Sequence, residues 1–536
     1  MPAAAVVAIV ILASAGIFWR QSIQRATTYD VIVVGAGPGG IAASIQAARM
    51  GEHVALLERT DWVGGQMTAA AVGTMDEGDS IDARKSGIYH EFVQAATKLY
   101  AGKKHSDSTC YYSPSSLCVD PRDGQAILRQ MLNKEASHLT LKTGVQVSAV
   151  VKQGNDVTGL VANGVHYTSK VVIDADEYGD VLAQAGAAYR LGNGTSTSPS
   201  TNSCVQSITY SAIMKYYQNG VPKNLQFTSP PPGYTSALKK HFAGIISNSG
   251  TDFMATKKLP STFRSYAAWR GLPDLTSPKN YNVLQHGNGI ARTALNLGND
   301  FPLKGNLSTS FISDPSARLQ DICEAKMLTL QLAYYIQHDL HQTHWSLADD
   351  EGYDTSYNRQ HHCAGLSNYT AFEDQMPEEP YVREARRLVG VETLTGALLN
   401  ERPWKNASQI PRYADSIAVG YYATDLHACR QPSDLEQGLD SPSYLSQAPQ
   451  AGPFEVPMGT LIPIKVDGLL AAEKNISASR LAEGAIREQP IAMDTGQAAG
   501  ALAALAVQQH RQPRAVPASD VQAVLIRAHE VIKVKS

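Results

Sequence analysis

Tyr29 to Glu58 reads YDVIVVGAGPGGIAASIQAARMGEHVALLE, and this stretch decides the fold. Val31 to Val34 is a β-branched apolar run, the pattern of a strand buried on both faces in a parallel sheet. It runs into Gly35-Ala36-Gly37-Pro38-Gly39-Gly40, which satisfies G-x-G-x-x-G. Ile41, Ala42, Ile45 and Ala48 fall on one face of a helix that Gly51 ends. A second strand, His53 to Leu57, stops at Glu58. Gly35 permits the tight turn, Gly37 lets the backbone approach a pyrophosphate, and Gly40 lets the helix pack closely on the sheet. The helix N-terminus offers free N–H groups and a positive dipole end to the phosphates. Glu58, 18 residues beyond Gly40, is placed to accept both hydroxyls of an adenosine ribose and to repel a 2′-phosphate.

The chain around this cradle has 536 residues, 43% hydrophobic and 18% charged, which predicts two or three domains. A net charge of −3 supplies no electrostatic reason for a nucleic-acid partner. Pro2 to Trp19 carries no charge, and Arg20 and Arg25 follow it. Its length and flanking charge read as an N-terminal membrane anchor, with the body kept cytoplasmic by the positive-inside bias. A secretory signal cleaved after Ala13-Ser14-Ala15 and a buried helix are the rival readings. Cys110 and Cys118 can pair if the chain is exported, whereas Cys204, Cys323, Cys363 and Cys429 stand alone. N-x-S/T sequons occur at Asn193, Asn306, Asn368, Asn406 and Asn475, and matter only in a eukaryotic secretory route. His361-His362-Cys363 lacks a third ligand with supporting spacing, so no metal is expected.

After Glu58 come Arg59 and then Asp61-Trp62-Val63-Gly64-Gly65-Gln66-Met67-Thr68. This segment resembles the one that runs along FAD in flavoproteins of the glutathione-reductase-like superfamily. The resemblance implies that Gly64 and Gly65 approach FAD with backbone alone, with Gln66, Met67 and Thr68 near the flavin or substrate. Arg122 to Ala136 reads as a helix, and Leu141 to Val161 alternates as a small sheet with turns at Gly144, Gly154 and Asn163-Gly164. In the resembling proteins the equivalent of Val147 meets the adenine through its backbone. Val171 to Asp180 reads VVIDADEYGD, similar to the Ile-Asp-Ala-Thr-Gly-Asp-Gly-Asp pattern of the FAD-dependent oxidoreductase family. Asp174, Ala175, Gly179 and Asp180 match, while Asp176, Glu177 and Tyr178 depart from it. Asp180 is also placed to cap a helix over residues 181–187.

The middle of the chain, about residues 195 to 430, carries a turn-rich loop at Pro230 to Pro232 and helices near Asp314–His341 and Pro377–Asn400. Three patches resemble the same family. One is Asn299-Asp300. The second is Tyr381 to Gly390, similar to Tyr-x-x-Arg-Glu-x-Arg-Arg, whose Arg383, Arg386 and Arg387 recur at helical spacing. Such arginines suit carboxylates or other anions, or form ion pairs along a solvated helix face. The third holds Asp415, Tyr421, Asp425 and His427. His427, two residues from Asp425, acts there as a general base or orients a substrate, or is a hydrogen-bonded structural histidine.

Pro457 to Ala506 contains a short strand at Leu469 to Ala472 and a small-residue helix from Thr495 to Ala506. Ser477, Arg487, Gln489, Pro490, Gly496, Gln497, Ala498, Ala499 and Gly500 match the segment that closes the FAD domain of the resembling superfamily. There the start of the last helix aims N–H groups at the flavin, so Arg487, Gly496, Gln497 and Ala498 are implied cofactor residues. Ala472-Glu473-Lys474 replaces the usual Ala-Gly-Arg, and Glu473 takes on a ribityl or phosphate-linked group. The resemblance covers most of residues 29–190 and 440–506.

The expected protein is an α/β flavoprotein with a Rossmann-like FAD-binding domain split between the two ends of the chain and an inserted α+β substrate domain. The expected boundaries are 1–28 for the hydrophobic segment, 29–194 and 436–536 for the FAD-binding parts, and 195–435 for the substrate region. FAD is non-covalent, and a hydride passes between a small organic substrate and flavin N5. His427 with Asp425 is the expected base, and Arg383 or Arg386 the anion clamp. A non-catalytic or electron-transferring flavoprotein is the second reading, and a dehydrogenase using NAD in the first cradle alone is the third.

Overall fold

The protein is described by a computed structural model covering residues 27–78, 81–101, 117–200, 203–248, 253, 266–275, 290–396, 399, 411–429 and 453–534. The N-terminal apolar stretch and Cys110 lie outside the described residues. Among the described residues no helix is long and apolar enough to cross a membrane.

The first strand of the main sheet, β1 (Val31–Val34), is followed by α1 (Pro38–Arg49), β2 (Val54–Leu57), α2 (Pro121–Lys134) and β3 (Leu139–Lys142). Three antiparallel strands come next, β4 (Val147–Gln153), β5 (Asp156–Ala162) and β6 (Val165–Thr168). Then come β7 (Val171–Asp174) and the short α3 (Asp180–Gln184). The chain returns nearly three hundred residues later as β8 (Leu469–Ala471). The main sheet is parallel, in the order β8-β7-β1-β2-β3. Every residue of β1, β2 and β7 is buried, as expected for strands covered on both faces.

One covering layer is a pair of helices in backbone contact. A Cβ on Gly496 would lie 2.2 Å from the Gly39 carbonyl oxygen, and one on Gly500 would lie 2.2 Å from that of Ala43. The small residues noted near the C-terminus thus mark where the long last helix crosses α1. That helix begins earlier than Thr495, because Pro490 and Gln489 supply a compatible first turn.

Between these parts lies a second apolar core, containing Tyr210, Phe242, Phe311, Trp345 and Met376. Its longest helix, α4 (Pro315–Tyr334), is capped by Asp314 and falls within the predicted Asp314–His341. The last helix, α5 (Gln489–Gln508), closes the structure against α1. Among the described residues of Pro377–Asn400 the expected helix is absent. Tyr381 to Gly390 is extended, with Arg387–Leu388 paired to Tyr189–Leu191. Its charged side chains are buried on both sides and pair with acids of different elements, which outweighs their helical spacing.

Four cysteines expected to stand alone are paired: Cys204 with Cys429, and Cys323 with Cys363, at Cα separations of 5.7 and 5.6 Å. Sequence separations of 225 and 40 residues hid both partners. Cys118 is also disulfide-bonded.

Candidate functional site

A cleft opens at the C-terminal ends of β1, β2 and β7, the place where open α/β sheets hold ligands. Gly35 enters it with φ +95°, and a Cβ there would lie 2.2 Å from the Ala175 carbonyl oxygen. At Gly40 a Cβ would sit 1.9 Å from the Gly35 oxygen. The second glycine pair crosses over the first. Gly64 donates its N–H to Ala36 O at 2.7 Å, and a Cβ on Gly65 would approach Gly37 Cα to 2.9 Å. Glycine at these positions therefore lets the first turn, the helix and the crossing loop approach one another backbone to backbone.

Gly35, Gly37, Glu58, Arg59, Gly65, Gln66, Val147, Ala175 and Asp180 all line this cleft. The Glu58 carboxylate accepts from Ala36 N at 2.5 Å and from Thr60 N and Oγ1 at 2.8 Å. Burial pushes its pKa above the ordinary value, against those three hydrogen bonds. Arg59 pairs with Glu379 at 2.9 Å and lies over the Tyr178 ring. Glu379 also receives the Tyr357 hydroxyl at 2.5 Å. Glu177, Tyr178 and Glu379 were not singled out as site residues, because nothing local marks Glu379 and the other two fall where the family pattern breaks.

Other expected cofactor residues shape the cleft without lining it. Pro38 and Gly39 open α1, and Gly64, left-handed, leads the crossing loop into the short turn Gly65–Met67. Met67 belongs to the apolar core, and Thr68 donates to Val63 O at 2.5 Å. Asp174 accepts from Leu182 N at 2.6 Å and Asp176 N at 3.1 Å. Asp176, rather than Asp180, caps α3, accepting from the N–H groups of Tyr178, Asp180 and Val181. Asp180 is free for other work and pairs with Arg386 at 2.5 Å and Arg318 at 3.1 Å. Gly179, with φ +67°, leaves room for Arg386. Gly496, Gln497 and Ala498 lie in the third turn of α5 rather than at its start. Gln497 accepts from Ile88 N and donates to Gln46, so its amide is committed to packing.

Glu473 sits in the cradle itself. Its φ is +58°, its Oε1 accepts from Gly39 N at 2.6 Å, and that oxygen lies 2.4 Å from the Cβ position of Gly37. Burial, reinforced by Glu177 and Glu58 and opposed by Lys474, pushes its carboxyl up to about 7.

A second cluster adjoins the cleft through Gln66, whose amide donates to Arg487 O at 2.8 Å. His427 Nδ1 lies 2.6 Å from Asp300 Oδ2, and its Nε2 lies 3.1 Å from Asp425 Oδ2. Beneath Asp300, Arg383 donates to Thr209 Oγ1 at 2.9 Å, to Ser207 O at 2.8 Å and to Asp300 at 3.4 Å. Arg487 holds Asp425 at 3.0 Å, pairs with Glu488 at 2.6 Å and donates to the Tyr381 hydroxyl. Burial works to raise Asp300 and Asp425, but Arg383 and His427 for the first, and His427 and Arg487 for the second, hold both below the ordinary carboxylate range. The two arginine side chains are 3% and 2% exposed, whereas those of His427, Asp300 and Asp425 are 31%, 34% and 42% exposed. The solvent-facing trio thus rests on buried cations. Segment 421–429 is irregular rather than a strand, and it is pinned by Cys204–Cys429, by Ser207 N to His427 O at 2.9 Å and by His427 N to Gln206 Oε1 at 3.0 Å.

The helical spacing of Arg383 and Arg386 places them on one face, with either one as the expected anion clamp. The structure separates them, one under His427 and one beside Asp180, because in an extended chain residues three apart face opposite sides. Arg383 lies buried beneath Asp300 and pairs with it at 3.4 Å.

The family described as FAD dependent oxidoreductase matches this chain over residues 30–525. The chain belongs to that family. It is an FAD-dependent oxidoreductase, and FAD is its cofactor. The alpha subunit of sarcosine oxidase from Corynebacterium sp. (strain P-1) is 28% identical over 141 residues, 25% of this chain and 15% of that protein. N,N-dimethylglycine/sarcosine dehydrogenase from Chromohalobacter salexigens is 31% identical over 133 residues, 24% of this chain and 19% of its own length. The chain thus spans under a fifth of either relative. Among solved structures, L-proline dehydrogenase from P. horikoshii is 12% identical, with a TM-score of 0.25, over 36% of this chain and 62% of that one. The cleft fits the cofactor: its glycines admit no Cβ where the backbone must approach, and its helix N-terminus faces the phosphate position.

Proposed function

We propose that this oxidoreductase moves a hydride between a carbon of a small organic substrate and flavin N5, with FAD held non-covalently. When bound, FAD supplies the redox step, and the protein binds, orients and handles protons. In this reading the FAD-binding domain is split between residues 29–194 and 436–536, and residues 195–435 carry the substrate face. The strand order, with β8 beside β7, supports the split. His427 exchanges a proton with a substrate heteroatom, while Asp300 and Asp425 fix the plane of its ring. Both ring nitrogens face carboxylates, so the ring bonds both of them only when each nitrogen carries a proton. The clamped imidazole carries this proposal, because it is accessible, oriented from two sides and linked to the FAD cleft through Asp425, Arg487 and Gln66.

The test begins with a visible absorption spectrum of protein lacking residues 1–28, before and after acid precipitation. Flavin bands that leave with the supernatant are expected, followed by bleaching when a substrate is added. N-methylated amino acids, named by two relatives, are the first to screen. Bands retained in the pellet would overturn non-covalent binding. Bleaching that proceeds undiminished in His427→Ala would overturn the role of the imidazole.

A second reading concerns location. We infer that the N-terminal apolar segment delivers the body to an oxidising compartment, as an anchor or as a cleaved signal. The disulfides favour this over a cytoplasmic body, since such bonds persist mainly in exported proteins. Full alkylation of Cys204, Cys323, Cys363 and Cys429 in protein trapped from cells would refute it.

A further inference from the structure

The cradle that the glycine fingerprint builds for a pyrophosphate contains a carboxyl group of the chain itself. β8 ends at Ala471, Ala472 N donates to Asp174 O at 2.8 Å, and Glu473 then turns left-handed over the start of α1. The backbone there is wedged. A Cβ on Gly39 would meet Ala492 O of α5 at 2.8 Å and Glu473 N at 3.0 Å. The side chain has no outward path, for Glu473 is 2% exposed. Its Oε1 takes the Gly39 N–H, one of the groups a bound phosphate would seek, and its buried Oε2 has no hydrogen-bond partner.

We propose that Glu473 stays in the cradle when FAD binds, carries a proton there, and donates that O–H to the pyrophosphate, so that flavin uptake brings a proton with it. The inference rests on the FAD assignment. An ionised carboxylate is acceptor-only and repels an anionic phosphate, whereas the neutral acid supplies a donor. The surroundings favour the neutral form once a phosphate arrives. Glu177 and Glu58 face Glu473 with negative charge, and Lys474, the nearby cation, has its Nζ committed to Glu177 at 2.8 Å. The first turn of α1 contributes backbone N–H groups and no charged side chain, and α5 contributes the Ala492 carbonyl. Burial already places the proton within reach of neutral pH.

The sign follows directly. Binding that requires the protonated acid is at full strength below the free protein's carboxyl pKa of about 7, and weakens tenfold per pH unit above it. The experiment is calorimetric titration of FAD into the flavin-stripped full-length protein, between about pH 6 and about pH 9, in two buffers of different ionisation enthalpy. The expected result for the unmodified residue is a flat Kd at the acid end, a unit slope at the alkaline end and uptake of close to one proton. Glu473→Gln keeps the shape and a donor, and is expected to bind with no slope and no proton uptake. A wild-type Kd independent of pH, or a slope retained in E473Q, overturns the proposal, the latter by passing the titration to Glu177 or Glu58. Should E473Q fail to fold by circular dichroism, the infrared difference spectrum of the wild type on FAD addition decides. A new protonated-carboxyl stretch supports the proposal, and its absence refutes it. Failure of both proteins to take up FAD at any pH strikes the cofactor assignment itself, and with it this inference.

Discussion

The FAD cleft and the His427 cluster adjoin each other but are built on opposite principles. The cleft is a backbone device. Gly35, Gly37, Gly40, Gly64 and Gly65 matter because they lack a Cβ, and they come from two short stretches. The cluster is a side-chain device, drawn from residues 300, 383, 425, 427 and 487 and held by ion pairs. The first therefore fails through steric exclusion and the second through lost charge balance, and substitutions separate the two.

The largest effect is expected at Gly35. Valine there would need a φ near +95° and would place its Cβ 2.2 Å from the Ala175 carbonyl oxygen, at the centre of the sheet. Backbone strain and overpacking together cost about 3 kcal/mol or more, a large part of a domain's stability. Gly35→Val is expected to yield no soluble, flavin-binding protein; a yellow, monodisperse product would break the account of the cleft. His427→Ala tests the other side. It is expected to retain full flavin absorbance while slowing substrate-driven bleaching by about 10²–10⁴-fold, the usual contribution of a positioned acid or base. Loss of FAD in step with activity would show that the two devices are not separable.

That contrast explains what was legible in the sequence. The cradle, Glu58, the β7 turn and the strand that returns as β8 were readable because each rests on a few neighbouring residues with fixed backbone roles. Arg383 and Arg386 misled because their spacing suits a helix, while the ion pairs that decide their fate are with Asp300 and Asp180, distant in sequence. Asp300 was noticed only as a family patch, since its work depends on His427 lying 127 residues further on. Gly496 was read as part of a helix start at the flavin, yet it functions in the third turn as a contact for Gly39. Small residues announce a close approach without saying what approaches.

The disulfide Cys204–Cys429 sharpens the comparison, since it pins the segment that carries His427 while lying away from the glycine cradle. Replacing both cysteines by serine is expected to lower stability by about 2–4 kcal/mol, given the long loop it closes. Denaturant unfolding measures that loss. Turnover is expected to fall with it at temperatures where FAD remains bound. A smaller effect attaches to Arg383. In Arg383→Lys the fork that reaches Ser207, Thr209 and Asp300 is lost, though a positive charge stays. With that support weakened, Asp300 returns toward the ordinary carboxylate range. Because its folded pKa is depressed, the ionised form persists below that range and is lost only as pH falls through the depressed value; raising that value should move the acid limb of the bleaching rate to higher pH. An unmoved acid limb would detach Asp300 from the protonation of the site. The rate near neutrality is expected to drop about tenfold, short of the loss in His427→Ala, because the ring and Asp425 remain.

The finest test lies at Glu58, where backbone and side-chain principles meet. Its carboxylate already accepts from Ala36 N and from both donors of Thr60, so it braces the turn as well as facing the ribose position. Glutamine preserves the volume but turns one acceptor into a donor, which then faces an N–H group. One unsatisfied contact costs about 1 kcal/mol, and FAD affinity should weaken about fivefold by fluorescence titration. Stability should respond in the other direction with pH. Burial raises the Glu58 pKa in the folded chain, so the folded state binds its proton more tightly than the unfolded chain does. Stability then declines as pH rises from the unfolded carboxyl's ordinary value to the raised one, and glutamine, which does not titrate, removes that decline. A Kd for FAD unchanged by Glu58→Gln, with the pH trend gone, would mark Glu58 as a brace of the turn alone. A weakened Kd would keep it as the ribose acceptor, a place in the cleft where a side chain rather than a missing Cβ makes the selection.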